Sequence, residues 1–128
     1  MDWHDGALVL AGMIGSGVAI VHGVLVQRRM INPLRDLATT RMSRSLRILV
    51  PGLLHFSTFN WFVGGLALLA CAFAGGREAK LATGLLVGSS HLYGALGNFW
   101  ASRGRHPGWV LYAIALFLIA YSIGVAGG

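Results

Sequence analysis

Three of the five histidines, His22, His55 and His91, fall inside runs that are otherwise apolar. One such run, LRILVPGLLHFSTFNWFVGGLALLACAF at residues 46–73, has no formal charge after Arg47 yet carries His55, Asn60 and Trp61. An imidazole in such surroundings costs free energy unless something engages its ring. A neutral ring can donate one hydrogen bond and accept another across a helix interface, for about 0.6 to 2 kcal/mol. It can also ligate iron, copper or zinc. The simplest cofactor of that kind is haem b between two facing histidines, which needs small residues beside it to make room for a flat ring.

Helical spacing places all three rings on glycine-lined faces. Gly15, Ala19 and Gly23 form a strip with His22 about 20° away. Gly52, His55, Thr58, Phe62 and Gly65 share a face, as do Gly84, Gly88, His91, Ala95 and Asn98. Small residues mark the close approach of apolar helices, so these faces are expected to point inward. Counting from the flanking arginines puts His22, His55 and His91 about 9, 12 and 18 Å deep, with Asn98 at about 8 Å. The expected cofactor or metal ligands are His22 and His55, with His91 and Asn98 beside them. Trp61 is expected to lie too far along its helix to join them. His106 sits at the mouth of the same end, and His4 is expected in solvent. The alternative is that the histidines are purely structural.

Other chemistries are disfavoured by what is missing. All four acidic residues, Asp2, Asp5, Asp36 and Glu78, lie outside the apolar runs, so no carboxylate is placed for proton- or sodium-coupled transport. Ser57 and Thr58 neighbour His55, but a hydrolytic triad lacks its acid. Five scattered histidines are too few for a membrane desaturase. Chemistry on a lipid or quinone stays open, while Ser89, Ser90, Tyr93, Tyr112 and Tyr121 read as packing or interface residues. Cys71 is the single cysteine, so no intramolecular disulfide forms, and it reads as a small residue packed near the end of its run.

The elements that must position these residues are helices. Hydrophobic residues make up 55% of the 128, charged residues 11%, and the mean hydropathy is +0.69. Four runs, at about 6–27, 46–74, 81–101 and 108–126, each suit a helix crossing a bilayer core about 30 Å thick. The expectation is all-α: one domain over 1–128, an integral membrane four-helix bundle with antiparallel up-down order. The start MDWHD is acidic where a cleaved signal is basic, so the first run is expected to remain in the mature protein.

Charge orients the bundle. Arg28, Arg29, Arg35, Arg41, Arg44 and Arg47 stand against Asp36 around the first connection, 28–45, and Arg103 and Arg105 lie in the third. Arginine-rich short loops stay cytoplasmic, so both termini are expected outside it. Arg28, Arg29, Arg35, Arg41, Arg44, Arg103, Arg105 and His106 are then candidates for contact with lipid headgroups or a partner. Nucleic acid is not expected, because no aromatic residues interleave the basic ones. Within the loop, Asn32-Pro33 reads as the start of a short headgroup-level helix with Leu34, Leu37, Ala38 and Met42 on one side. Ser43 reads as the N-cap of the second span and Pro51 as a bend near its start.

The segments HGVLVQRRMINPL (22–34), RILVPGLLHFSTFNWFVGGLALL (47–69) and SRGRHPGWVL (102–111) resemble a loosely defined group of uncharacterised bacterial four-helix integral membrane proteins. The matching positions are His22, Arg28, Arg29, Pro33, Leu34, His55, Thr58, Trp61, Arg103, Gly104, Arg105 and His106. Gln27 departs from the pattern, which tends to carry an acid there. The resemblance implies the fold and a place in the inner membrane, and no activity. Two functions are therefore carried forward: a protein that binds haem or a metal for electron transfer, and a non-catalytic accessory or assembly subunit, as a homo-oligomer or with another membrane protein.

Overall fold

Local sequence explains where each helix begins and ends. The computed structural model describes residues 2–37 and 42–124, and among these the secondary structure is entirely helical. Asp2 caps α1 (Trp3–Val26), its carboxylate accepting from the backbone N–H groups of His4 and Asp5 at 2.9 and 2.8 Å. Ser43 caps α3 (Arg44–Ala74), accepting from the Leu46 N–H at 3.4 Å as its sequence position suggests. Pro51 lies inside α3, past its first turn, where its missing N–H leaves the Arg47 carbonyl without its helical partner. Gly75 and Gly76 make the tight link to α4 (Arg77–Ser102). Arg103 and Gly104 end α4 with φ of 51° and 75°, the Gly104 N–H closing back on the Phe99 carbonyl at 2.8 Å. The Trp109 indole then donates to the Gly104 carbonyl at 3.1 Å and starts α5 (Gly108–Gly124).

A short helix, α2 (Asn32–Leu37), does begin at Asn32-Pro33 as expected, but it is not separate: α1 runs into it without a break through a π-helical turn, Gln27–Ile31. Pro33 lacks an N–H and crowds the preceding turn, and the wider turn just upstream accommodates it. The Asn32 N–H bonds to the Gln27 carbonyl, and the Asn32 side chain accepts from the Gln27 amide at 2.8 Å rather than capping. Arg41, Ala38 and the side chain of Leu37 lie outside the described residues.

The four long helices form a ring in the order α1, α3, α4, α5, each antiparallel to its neighbours. Gly12 faces Gly65 and Gly23 faces Thr58 across α1 and α3, while Gly84 meets Ile119 and Gly94 meets Tyr112 across α4 and α5. His4 and Tyr121, with ring centroids 5.1 Å apart, bring the start of α1 to the end of α5. At that end the Lys80 ammonium also pairs with Asp5. Arg28, Arg29, Arg35, Arg44, Arg47, Arg103 and Arg105 all belong to the opposite end.

Small residues and a few large ones share the inside, and many large apolar side chains face out. Two inner clusters, Leu8, Ala11, Leu68, Ala72, Val87 and Ile119, then Ala19, Trp61, Ala95 and Tyr112, are filled out by buried glycines. Large apolar side chains point away: Leu86 is 74%, Phe117 71% and Trp100 86% exposed. Two helical stretches, Trp3–Asp36 and Arg44–Ala74, are long and apolar enough to cross a membrane. α5 is apolar but 17 residues long, and α4 is the least apolar of the four long helices.

A Cβ on Gly65 would lie 2.7 Å from the Gly12 carbonyl oxygen, whereas one on Gly52 meets nothing within 4 Å. Gly65→Ala should therefore destabilise the bundle by about 1–3 kcal/mol, and Gly52→Ala should be neutral or stabilising, as read by thermal unfolding. The Lys80 hydrogen bond holds the Asp5 carboxyl below its ordinary value. That pair should add stability above pH 3.8, the ordinary value, and lose it as the pH falls through the lowered one. Asp5→Asn should remove this acid dependence from the melting temperature.

Candidate functional site

At the arginine-bearing end, α1, α4 and α5 splay around a cavity of about 290 Å³ whose polar lining includes His22, Asn98 and His106. Each is held differently. His22 projects from α1 with its ring edge against Trp61, centroids 4.8 Å apart, and its nitrogens bond to none of the described residues. Asn98 donates to the Gly94 carbonyl one turn back at 2.8 Å, which fixes its amide and leaves Oδ1 as an acceptor. His106 is tied to α4 by a short relay: its N–H donates to Ser102 Oγ at 3.3 Å, and that hydroxyl donates to the Asn98 carbonyl at 2.6 Å. The Gly108 N–H donates to His106 Nδ1 at 3.0 Å, so the neutral ring carries its proton on Nε2.

His55 lies apart from this lining. It is exposed on α3, and its Nε2 bonds to Gln27 Oε1 at 3.0 Å; because an amide oxygen accepts, Nε2 is the donor. The inward face expected for His55 is thus corrected. The buried stripe of α3 runs through Trp61, Gly65, Leu68 and Ala72, and its backward extension passes through Thr58 and Leu54, which leaves His55 turned off that stripe. The depth is corrected too. His55 is level with Gln27, five residues beyond His22, and so about 7.5 Å nearer the arginine end.

His91 is fully buried in the middle of α4, as expected, but faces another way. Its Nδ1 donates to the Val87 carbonyl at 2.9 Å, leaving Nε2 as an acceptor directed at α1, 2.9 Å from where a Gly15 Cβ would stand. Its ring meets Tyr112 edge-on at 5.5 Å, and Tyr112 meets Trp61 at 4.8 Å. Trp61, expected to be out of reach, is instead the bridge between His22 and the Tyr112–His91 pair. His91 Nε2, Tyr112 OH and Thr58 Oγ1 are buried without a hydrogen-bond partner among the described residues.

This arrangement does not fit a haem between His22 and His55. His55 Nε2 is already committed to Gln27, and the helices between the two rings are closed. A single methyl on Gly23 would meet the Thr58 methyl at 2.8 Å, so no slot for a macrocycle exists there. His55 and His106 are near enough to His22 for electrostatic interaction. Yet among the described residues no group of three or more His, Cys, Asp or Glu is placed to hold a metal ion.

Tyr112 packs as expected, but sequence reasoning did not foresee the Gln27 bond to His55 or the bridge that Trp61 and Tyr112 make from His22 to His91. Gln27 carried a usable signal, because it continues the Gly15, Ala19, Gly23 series at the same interval of four. Cys71 packs as expected, its Sγ 3.3 Å from Thr83 Oγ1. No protein-family model, curated protein or solved structure matches this chain.

A methyl group on Gly15 would strike the tip of His91. Gly15→Ala should cost about 1–3 kcal/mol in thermal unfolding, and adding His91→Ala should recover part of the loss. Strict additivity of the two would place His91 elsewhere.

Proposed function

We propose that this chain is a multi-pass integral protein of the bacterial inner membrane, working as a non-catalytic accessory or assembly subunit. The observation that carries the reading is the apolar outer surface. Exposed Leu, Ile, Phe and Trp side chains cover the outside of the ring, while glycines and alanines pack inside beside a few large residues such as Leu8, Leu68, Trp61 and Tyr112. Water penalises such an outer cover at about 1.5–3 kcal/mol per large side chain and hydrocarbon does not. Charge supports it as well. The end with Arg28, Arg29, Arg35, Arg44, Arg47, Arg103 and Arg105 suits the cytoplasmic headgroups, and the end with Asp2 and Asp5 suits the outside.

The subunit role is supported by the seam between α3 and α4. There Asn60 is exposed and donates to Ser90 Oγ at 3.1 Å, beside an open cavity of about 430 Å³ lined in part by Gly64, Ala67 and Thr83. Polar and small groups facing outward from an apolar ring are what a further membrane helix would pack against. The resemblance to bacterial four-helix membrane proteins agrees with the same location.

Reporter fusions at the two termini should both be active outside the cytoplasm, and the protein should stay in the pellet after a carbonate wash. Either terminus inside, or release into the wash, would overturn the reading. The rival assignment, haem or a transition metal at His22 and His55, is decided on the same material by a visible spectrum and metal analysis. A folded, colourless, metal-free protein supports the subunit; a stoichiometric chromophore lost in His22→Ala defeats it.

A further inference from the structure

The cleft at the arginine-bearing end has a lining unlike the rest of the surface, and its composition narrows what could enter it. We infer that it binds an amphiphile with an uncharged, carbonyl-bearing ring as head group and an apolar tail, the chemical class of the isoprenoid quinones. The inference rests on the membrane reading above, since the bilayer is the reservoir for such a ligand.

The walls are apolar: Val18, Val21 and Leu25 from α1, and Leu111 from α5. The polar groups are few: two imidazoles, the Asn98 amide and Tyr112. His106 offers Nε2–H as a donor because Nδ1 is occupied, and a neutral His22 ring offers one donor from the opposite wall. Two ring carbonyls can therefore each accept from an imidazole. A small set of placed polar groups in an otherwise apolar cavity of about 290 Å³ is the usual build of a site for a small amphiphile.

The same lining argues against a phosphate head group. Among the described residues no arginine or lysine lines the cleft; Arg103 lines a separate, more open depression with Gly97, Trp100 and Ala101. An anion in the cleft would lack a fixed cation and would bear the cost of desolvation. The tail has a way out. Gly17 leaves the α1 side of the seam open, and Val21 and Leu111, 59% and 42% exposed, lead from the cleft to the outer apolar surface.

The test uses the full chain in detergent, with decylubiquinone as probe and quenching of tryptophan fluorescence as readout. Trp61 against His22 and Trp109 beside the His106 loop place reporters near the cleft. Saturable quenching is expected, weakened about tenfold in His106→Ala and in Val21→Phe, which fills the cleft, and unchanged in Leu86→Ala on the far outer surface. Should Val21→Phe fail to fold, the exposed-loop variant His106→Ala carries the comparison. Quenching that rises linearly and equally in all variants overturns the site, because it reports partition into the micelle. Stoichiometric displacement of the probe by phosphatidylglycerol also overturns it, in favour of an anionic lipid. Release of the protein in the carbonate wash defeats the membrane reading separately, without altering how the quenching comparison is judged.

Discussion

The backbones of α1 and α3 approach so closely at Gly12 and Gly65 that neither position has room for a methyl group. That contact acts as a clamp, and the register of the two helices follows from it. One turn further along, Ser16 Oγ donates to the Phe62 carbonyl at 3.4 Å, a bond that a greater helix separation would break. The series continues with Gly23 against Thr58 and ends with Gln27 against His55. Which groups surround His22 is decided ten residues away, by two residues with no side chain.

With the clamp set, the interior fills around rings rather than aliphatic chains toward the arginine end. His22, Trp61, Tyr112 and His91 come from four different helices and touch in sequence, with centroids 4.8, 4.8 and 5.5 Å apart. Two of these contacts are edge-on and the Trp61–Tyr112 one is tilted, and ring contacts of this type add roughly 0.5–1.5 kcal/mol beyond area burial. They also resist small displacements, since moving one helix tilts a ring against two neighbours. The glycines facing these rings have a matching part: Gly94 sits 3.3 Å, at its would-be Cβ, from Trp61, and Gly15 is pressed by His91.

Much of the fold was legible in the primary structure. The four apolar runs fall in α1, α3, α4 and α5, Ser43 does cap α3, and the glycine faces around Gly15 and Gly84 are buried. What could not be read was register. Spacing along one helix says which residues share a face, but not which residue of the next helix stands opposite. Counting depth from Arg28 and Arg47 assumed that both arginines lie at one level. α3 begins a turn earlier than that, at Arg44, and the Gly12–Gly65 contact sets its position instead. Hence Trp61 reaches His22 while His55 does not join it. The continuity of α1 into the helix that begins at Asn32 was hidden for a different reason: Pro at a free helix start and Pro just after a widened turn look alike in one dimension.

That widened turn, Gln27–Ile31, is an extra residue wound into a helix. Relative to an unbroken α-helix it delays the angular phase of everything after it by about 100°. Ile31 is fully buried with that phase, while Arg28, Arg29 and Met30 point outward. The segment therefore works like a spacer under a threaded part: excising one residue would keep the composition and the helix, yet turn α2 by more than a quarter of a revolution. Length in this stretch is consequently a constraint of its own, and substitutions there are easier to accommodate than insertions or deletions.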